Sequence, residues 1–223
     1  MLKSVIWASM LDYPGKVCTT LFFDGCNFGC EYCQNKDVKK AQAIDFEKEI
    51  FPKLLERKPF ISHIILSGGE CTIDGQFQKI LDTLYQNGFH VGLHTNGYET
   101  EILEKNKDKI SYIGMDIKND LENYDEITQR NIKIENIKNS IDFIIQNIPE
   151  YEFRTTVYPK YVDTENCVKI AKYLGEHYAK KYVIQQYKRV EGIAVIPFSE
   201  EKMNEILKQC NQYVKTESRG WKM

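Results

Sequence analysis

The sequence predicts an α/β fold in which mostly parallel strands are connected by helices. Strand and helix patterns alternate about six times along the chain, which is the order that crossover helices between parallel strands produce. Several strands are continuous apolar runs such as Ile64-Ile65-Leu66, and such runs are typical of strands buried on both faces. These patterns leave two architectures open: a doubly wound open sheet and a curved, partly closed barrel.

Six strands are predicted from β-branched and aromatic runs that stop at turn residues. The first stops at Asp24-Gly25, the second at Gly68-Gly69 and the third at Asn96-Gly97. The strands cover residues 17–23, 63–67, 90–95, 110–116, 151–157 and 182–186. Residues 1–16 form a segment before the first strand.

Apolar residues at helical spacing predict a helix after most of these strands. A short helix is expected over about residues 99–107, and a C-terminal helix over about residues 199–212. The stripes are Phe46, Ile50, Phe51, Leu54 and Leu55; Phe77, Ile80, Leu81 and Leu84; Ile134, Ile137, Ile141, Ile144, Ile145 and Ile148; residues 167–174; and Met203, Ile206, Leu207 and Cys210.

Composition narrows the class of protein. A chain of 223 residues suits one domain or two small ones. A net charge of −2 argues against nucleic-acid binding, which calls for a basic surface. No apolar run approaches the roughly 20 residues that cross a bilayer, and the amino terminus lacks a secretory pattern. We therefore expect a cytoplasmic protein with no nucleic-acid or membrane partner.

Three of the seven cysteines form one motif. Cys26, Cys30 and Cys33 have the spacing C-x3-C-x2-C on the loop 24–35. Thiolates are soft ligands that suit iron–sulfur clusters and zinc. A structural zinc site usually has four ligands, so zinc would need Cys71 or His94 in addition. Three cysteines on a four-iron cluster leave one iron open for chemistry, and we favour this interpretation.

The remaining cysteines and histidines have plainer interpretations. Cys71 is either a small residue in a tight turn or a reactive thiol. Cys18, Cys167 and Cys210 lie in a strand or on apolar stripes and are expected in the core. The histidines without a motif, expected to be structural or exposed, are His63, His90 and His177.

The cysteine loop resembles that of radical S-adenosylmethionine (SAM) enzymes, with Tyr32 before the third cysteine and Gly-Gly-Glu after the next strand. Most of the chain further resembles the activating enzymes of anaerobic ribonucleoside-triphosphate reductase. The blocks that carry this resemblance are SMLDYPGK at 9–16, LSGGE at 66–70, HTNG at 94–97, YIGMDIKNDLENY at 112–124, YEFRTTVYP at 151–159 and QQY at 185–187.

The resemblance implies a single domain over residues 1–223, with a partial (β/α)6 barrel similar to that of TIM barrels. It also implies an oxidoreductase that uses a [4Fe–4S] cluster to cleave SAM reductively to a 5′-deoxyadenosyl radical. In this subgroup the radical abstracts a hydrogen atom and installs a glycyl radical on a partner enzyme. A flavodoxin or ferredoxin is the implied electron donor.

The implied site follows the motifs. Cys26, Cys30 and Cys33 are expected to ligate the cluster, with Tyr32 beside the adenine of SAM. Glu70 is expected to accept a hydrogen bond from the SAM ammonium group. Gly68 and Gly69 would let the backbone approach the ligand.

Five further residues complete the expected SAM site. Thr95 and Asn96 are expected ribose or carboxylate contacts, and Asp116 and Lys118 match a DxK element whose lysine reaches the SAM carboxylate. Arg154 lies in a buried-looking strand and needs a charge partner. The SAM carboxylate or a barrel carboxylate such as Glu70 could serve.

Three positions depart from the activase pattern, which commonly contains YCHN, GGEP and DTNG: they are Gln34, Cys71 and His94. The loss of an aspartate at His94 puts a cation site next to SAM in doubt. Two other functions stay open: a radical SAM enzyme that acts directly on a small molecule or peptide, and a non-enzymatic metal-binding protein.

Overall fold

A computed structural model describes residues 1–35 and 41–220. The eight strands among these residues form one sheet in chain order. From β2 to β8 every neighbouring pair is parallel, whereas β1 is antiparallel to β2. The strands are β1 (Leu2–Ser9), β2 (Cys18–Phe23), β3 (His63–Gly68), β4 (His90–Thr95), β5 (Ile110–Asp116), β6 (Glu150–Val157), β7 (Tyr182–Gln186) and β8 (Thr216–Arg219).

Helices connect the parallel strands, as predicted. A π-helical turn, Phe46–Ile50, leads into α1, and Asp163 and Ser199 cap α6 and α7. The helices are α1 (Phe51–Arg57), α2 (Phe77–Gln86), α3 (Thr100–Lys105), α4 (Tyr124–Thr128), α5 (Ile134–Asn147), α6 (Thr164–Glu176) and α7 (Glu200–Cys210). None of the helices in the described ranges is both long and apolar enough to span a membrane.

The sheet is an unclosed barrel with β1 and β8 as its edges, so the expected α/β fold is confirmed. The six predicted strands are β2 to β7. Both edge strands were missed. β1 lies within the segment 1–16 and has no clear alternation of polar and apolar residues, and β8 has the polar sequence TESR. At an edge, backbone pairing with one neighbour defines the strand, so the side-chain pattern carries little signal.

A small aromatic cluster fills the inside of the barrel at the amino-terminal ends of the strands. Tyr13, from the segment after β1, stacks on Tyr112 with ring centroids 4.7 Å apart. Cys18 and Ile65 complete this cluster, and all four side chains are at most 2% exposed. The opposite end of the barrel, where the strands finish, is therefore the end at which a ligand can enter.

The helices cover the outer face of the sheet and form the main core. Cys167 of α6 and Cys210 of α7 are fully buried there, as expected for cysteines on apolar stripes. Burial raises the pKa of Cys210 to about 12, so this thiol is chemically quiet at neutral pH.

Candidate active site

A cavity of about 640 Å³ lies at the carboxyl-terminal ends of the strands. Its volume is within the ~300–1,000 Å³ of typical ligand sites. Parallel neighbours finish at the same edge of a sheet, and for this reason residues distant in sequence meet here. The predicted site residues that line the cavity are Cys26, Cys30, Tyr32, Cys33, Gly68, Gly69, Thr95, Asn96, Asp116, Lys118 and Arg154.

The three cysteines lie on the irregular loop that follows β2. The Gly29 amide donates to the Thr128 carbonyl at 2.7 Å, which fastens the loop to the end of α4. Cys26, Cys30 and Cys33 are free, half-buried thiols. Burial raises the pKa of Cys26 and that of Cys30, the latter to about 11. Both thiols must lose a proton when they bind metal, so binding releases protons.

This donor set fits an iron–sulfur cluster better than a zinc ion. In residues 1–35 and 41–220, no three His, Cys, Asp or Glu side chains are grouped as ligands of a single metal ion. Cys71 is fully buried and its Sγ contacts the Leu66 carbonyl at 3.5 Å, and His94 Nε2 lies 2.8 Å from the Asp12 carbonyl oxygen. Neither residue is placed as a fourth zinc ligand.

Cys71 also fits its plainer interpretation. Burial, helped by the nearby Glu70, raises the pKa of the thiol well above its ordinary value. A reactive thiol needs an exposed, electropositive setting. Cys71 is a small residue that fills the turn after β3.

Glu70 has partners other than the expected SAM ammonium. It is fully buried, and its Oε1 accepts from the Thr72 amide at 3.2 Å, the Thr72 hydroxyl at 2.7 Å and the Thr95 hydroxyl at 2.9 Å. Its Oε2 accepts from the Asn96 amide at 2.6 Å. Burial raises the pKa of Glu70 and these bonds oppose the rise. The carboxylate ties the turn after β3 to the turn after β4, and its contact with SAM stays a prediction.

Gly68 and Gly69 line the cavity, and the close approach of neighbouring backbone also requires glycine at both positions. A Cβ at Gly68, where φ is +117°, would lie 2.2 Å from the Phe23 carbonyl oxygen. A Cβ at Gly69 would lie 1.9 Å from the carbonyl oxygen of Gly25. The turn after β3 thus touches the backbone that leads into the cysteine loop, and the expected room for a ligand is partly taken by this contact.

An ionic cluster lies on the cavity wall at the ends of β5 and β6. Asp116 accepts from Arg154 Nε at 2.8 Å and from Lys118 Nζ at 3.0 Å. Arg154 also donates to the Gly114 carbonyl at 3.1 Å. Burial would raise the pKa of Asp116, but the two cations lower it well below its ordinary value. Arg154 therefore has a barrel carboxylate as its charge partner, and this carboxylate is Asp116 and not the example Glu70.

His94 adds no charge to this cluster at neutral pH. Burial, together with the nearby Arg154, lowers the pKa of His94 to about 4. Lys118 and Arg154 with one carboxylate leave a net positive charge on this wall, which suits an anionic ligand group.

Tyr32 is buried and stacks on Tyr158, with ring centroids 5.1 Å apart. Its hydroxyl is buried and finds no hydrogen-bond partner within the described part of the chain. Tyr158 and Lys160 both donate to Glu31, at 2.5 and 2.8 Å. This clamp holds the cysteine loop against the segment after β6.

Some cavity residues were missed by the sequence analysis. Lys188 and Arg219 line the cavity from the side of β7 and β8. Arg219 also pairs with the buried Glu152 at 2.7 and 2.9 Å. No sequence signal pointed to Arg219, because its strand was not predicted.

We expect Asp116→Asn to lower the free energy of unfolding by about 2–3 kcal/mol at pH 7. The change leaves the 5%-exposed Arg154 without a full charge partner. A lowered carboxyl pKa stabilises the fold above the unfolded value of about 3.9, and this contribution is lost as pH falls below it. The difference from wild type should therefore shrink in urea unfolding near pH 3.

Asp82→Asn is the matched control, because Asp82 pairs with Lys109 on the surface. It should cost about 0–1 kcal/mol. An equal loss for Asp116→Asn at pH 7 and pH 3 would contradict the assigned charge pairing.

Comparison with known proteins identifies the family of this chain. Residues 20–174 match the family model described as the radical SAM superfamily. The fold is shared with Streptococcus suis SuiB, solved with S-adenosylmethionine bound, at a TM-score of 0.69 and 11% identity. That alignment covers 87% of this chain and 48% of SuiB. The fold and the cysteine loop define a radical SAM protein.

Two relatives narrow the class. MJ1227 of Methanocaldococcus jannaschii, which carries the name of a glycyl-radical enzyme activating enzyme, is 32% identical over 84% of this chain and 80% of its own length. The pyruvate formate-lyase-activating enzyme of Clostridium pasteurianum is 27% identical over 88% of this chain and 81% of its own. The chain belongs to the radical SAM superfamily, in the subgroup of glycyl-radical-enzyme activating enzymes. Its cofactors are a [4Fe–4S] cluster and SAM.

Proposed function

We propose that this protein installs a glycyl radical on an anaerobic ribonucleoside-triphosphate reductase. The observation that carries the proposal is the cavity at the strand ends, which combines three loop thiols with a cationic wall. Relatives named as activating enzymes support the reaction type. The blocks of sequence that resemble reductase activases support this particular partner.

Cys26, Cys30 and Cys33 hold the cluster in this proposal. When bound, the cluster supplies the electron that cleaves SAM into methionine and a 5′-deoxyadenosyl radical. Lys118 and Arg154 attract the SAM carboxylate, while Asp116 fixes the position of both cations. Tyr32, which lines the cavity, packs beside the adenine.

Thr95 and Asn96 contribute mainly by shaping the wall next to the cysteine loop. Gly68, Gly69 and Glu70 hold the adjoining turn in place. The bond that was expected between Glu70 and the SAM ammonium remains part of the proposal, because Glu70 Oε2, which accepts from the Asn96 amide, has a second lone pair for it.

A protein substrate suits the open side of the barrel. β1 and β8 are sheet edges, so a polypeptide loop can approach between them. Leu11 lines the cavity and is 75% exposed, and its neighbour Met10 is 78% exposed. Adjacent apolar side chains at a cavity mouth are typical of a surface that a protein partner covers. The substrate glycine must come within roughly 3–3.5 Å of the 5′ carbon.

The electron donor in this proposal is a flavodoxin or ferredoxin. In this proposal the protein works in the cytoplasm, a reducing compartment in which cysteines that bind no metal stay free thiols.

The deciding experiment is electron paramagnetic resonance (EPR) on an anaerobic mixture of the protein, the reductase, SAM and a reductant. We expect a glycyl radical doublet that disappears when the target glycine of the reductase is replaced by alanine. The control is the Cys167→Ala variant, whose substitution lies in the helical core. This variant should still generate the signal. If SAM cleavage is accelerated by a small molecule or free peptide and not by the reductase, the direct-substrate alternative replaces this proposal.

A further inference from the structure

The side chain of Asn96 lies against the cysteine loop. Its Nδ2 is 2.7 Å from Asn27 Oδ1 and 3.9 Å from Cys26 Sγ. Asn96 is only 5% exposed, so its amide is largely shielded from water. Cys26 Sγ also accepts from the Phe28 amide at 3.4 Å. Two N–H donors therefore face the sulfur of one loop cysteine.

Neighbouring bonds fix the orientation of the Asn96 amide. Its Oδ1 accepts from the Tyr98 amide at 3.0 Å, so the NH₂ group must point toward Asn27 and Cys26. Asn27 is oriented in turn, because its Nδ2 donates to Glu99 Oε1 at 3.2 Å. The result is a directed chain in which Asn96 donates to both Asn27 and Cys26.

The chain of bonds changes when Cys26 becomes a ligand. The protonated thiol is placed to donate to Asn27 Oδ1 at 3.8 Å. A thiolate is an acceptor only, so the Asn96 amide and the Phe28 amide become its donors. Hydrogen bonds to cysteine sulfur are among the features that set the reduction potential of iron–sulfur clusters.

We propose that Asn96 raises the reduction potential of the cluster by donating a hydrogen bond to the Cys26 thiolate, an inference that rests on the proposed ligation by Cys26. Reduction adds one electron from an external low-potential donor, and the added negative charge is shared with the ligand sulfurs. A donor N–H stabilises this more negative state more than the oxidised state. Asn96 is thus a positioning residue that makes the cluster easier to reduce.

The test is a redox titration of reconstituted protein without SAM, followed by the EPR signal of the reduced cluster. Asn96→Asp keeps the size of the side chain and its acceptor for Tyr98 but replaces the donor by an anion. At one fixed solution potential, the ratio of reduced to oxidised cluster should fall on the order of three- to tenfold, and tenfold corresponds to about 59 mV for one electron. Asn96→Ala should shift in the same direction by less.

Asn106→Ala is the matched control. Asn106 is also fully buried, but it bonds to Gln78 and to the Ile102 carbonyl near the end of α3, away from the cysteine loop. The cluster of the Asn106→Ala variant should have the wild-type reduction potential.

Each result is decisive. Fully loaded Asn96 variants with the wild-type potential would overturn the inference and leave the proposed function untouched. Folded Asn96 variants that fail to bind a cluster would show a role in assembly and would also overturn it. Wild-type protein that binds no cluster would defeat the proposed function itself.

Discussion

Replacement of any one of Cys26, Cys30 and Cys33 by alanine is expected to abolish the cluster and reductive SAM cleavage. Two thiolates cannot hold a four-iron cluster in the absence of another ligand, and the neighbouring candidates Cys71 and His94 are committed to backbone carbonyls. The measurement is iron and sulfide content after anaerobic reconstitution, together with the absorbance of the brown protein and the yield of 5′-deoxyadenosine.

Cys167→Ala and Cys210→Ala are the matched controls, because both thiols are fully buried in the helical layer. They should keep the cluster and lose about 1–2 kcal/mol of stability from the small cavity that each change creates. A triple variant of Cys26, Cys30 and Cys33 that still takes up as much iron as wild type would exclude this loop as the cluster site.

Gly69→Ala is expected to have the second large effect. The new Cβ would lie 1.9 Å from the Gly25 carbonyl oxygen, and Gly25 directly precedes Cys26. Because backbone cannot yield as a flexible side chain does, the cysteine loop must move. We expect a loss of about 3 kcal/mol or more in the free energy of unfolding and a sharp fall in cluster content.

Gly75→Ala supplies the control for this substitution. A Cβ at Gly75 meets no atom within 4 Å, and the backbone there is not left-handed. This variant should fold and bind the cluster as wild type does, with stability unchanged or raised by about 0.4–1 kcal/mol. Equal cluster content in the two alanine variants would show that the contact between the two turns does not position the loop.

The strands β2 to β7 and the cysteine motif could be predicted from the sequence, because short segments of the chain carry the signal for both. The apolar runs from β2 to β7 report burial on both faces, and the order of strands and helices restricts the sheet to parallel neighbours. Cys26, Cys30 and Cys33 lie within eight consecutive residues, so the chain itself keeps the three thiols close together in any fold.

The hydrogen-bond partners of buried polar groups were harder to predict from the sequence. Arg154 was expected to need a charge partner. Which residue serves as that partner depends on the register between β5 and β6, which places Asp116 beside Arg154. Glu70 and Asn96 were assigned to SAM from their motifs, and those contacts stay predictions. The structure adds what the motifs did not show: the two residues are bonded to one another, and Asn96 lies against Cys26 of the cysteine loop. A motif specifies which groups lie near a site and not which of them touch the ligand.

The sequence by itself determined six of the strands, their alternation with helices and the loop that carries the three thiols, because hydrophobic periodicity and residue spacing are properties of short segments. Only the tertiary structure decided which strands form the two sheet edges, why residue 69 must be glycine, and which N–H donors face Cys26. Each of these depends on contacts between segments distant in the chain, where backbone geometry, and not residue type, selects the partner.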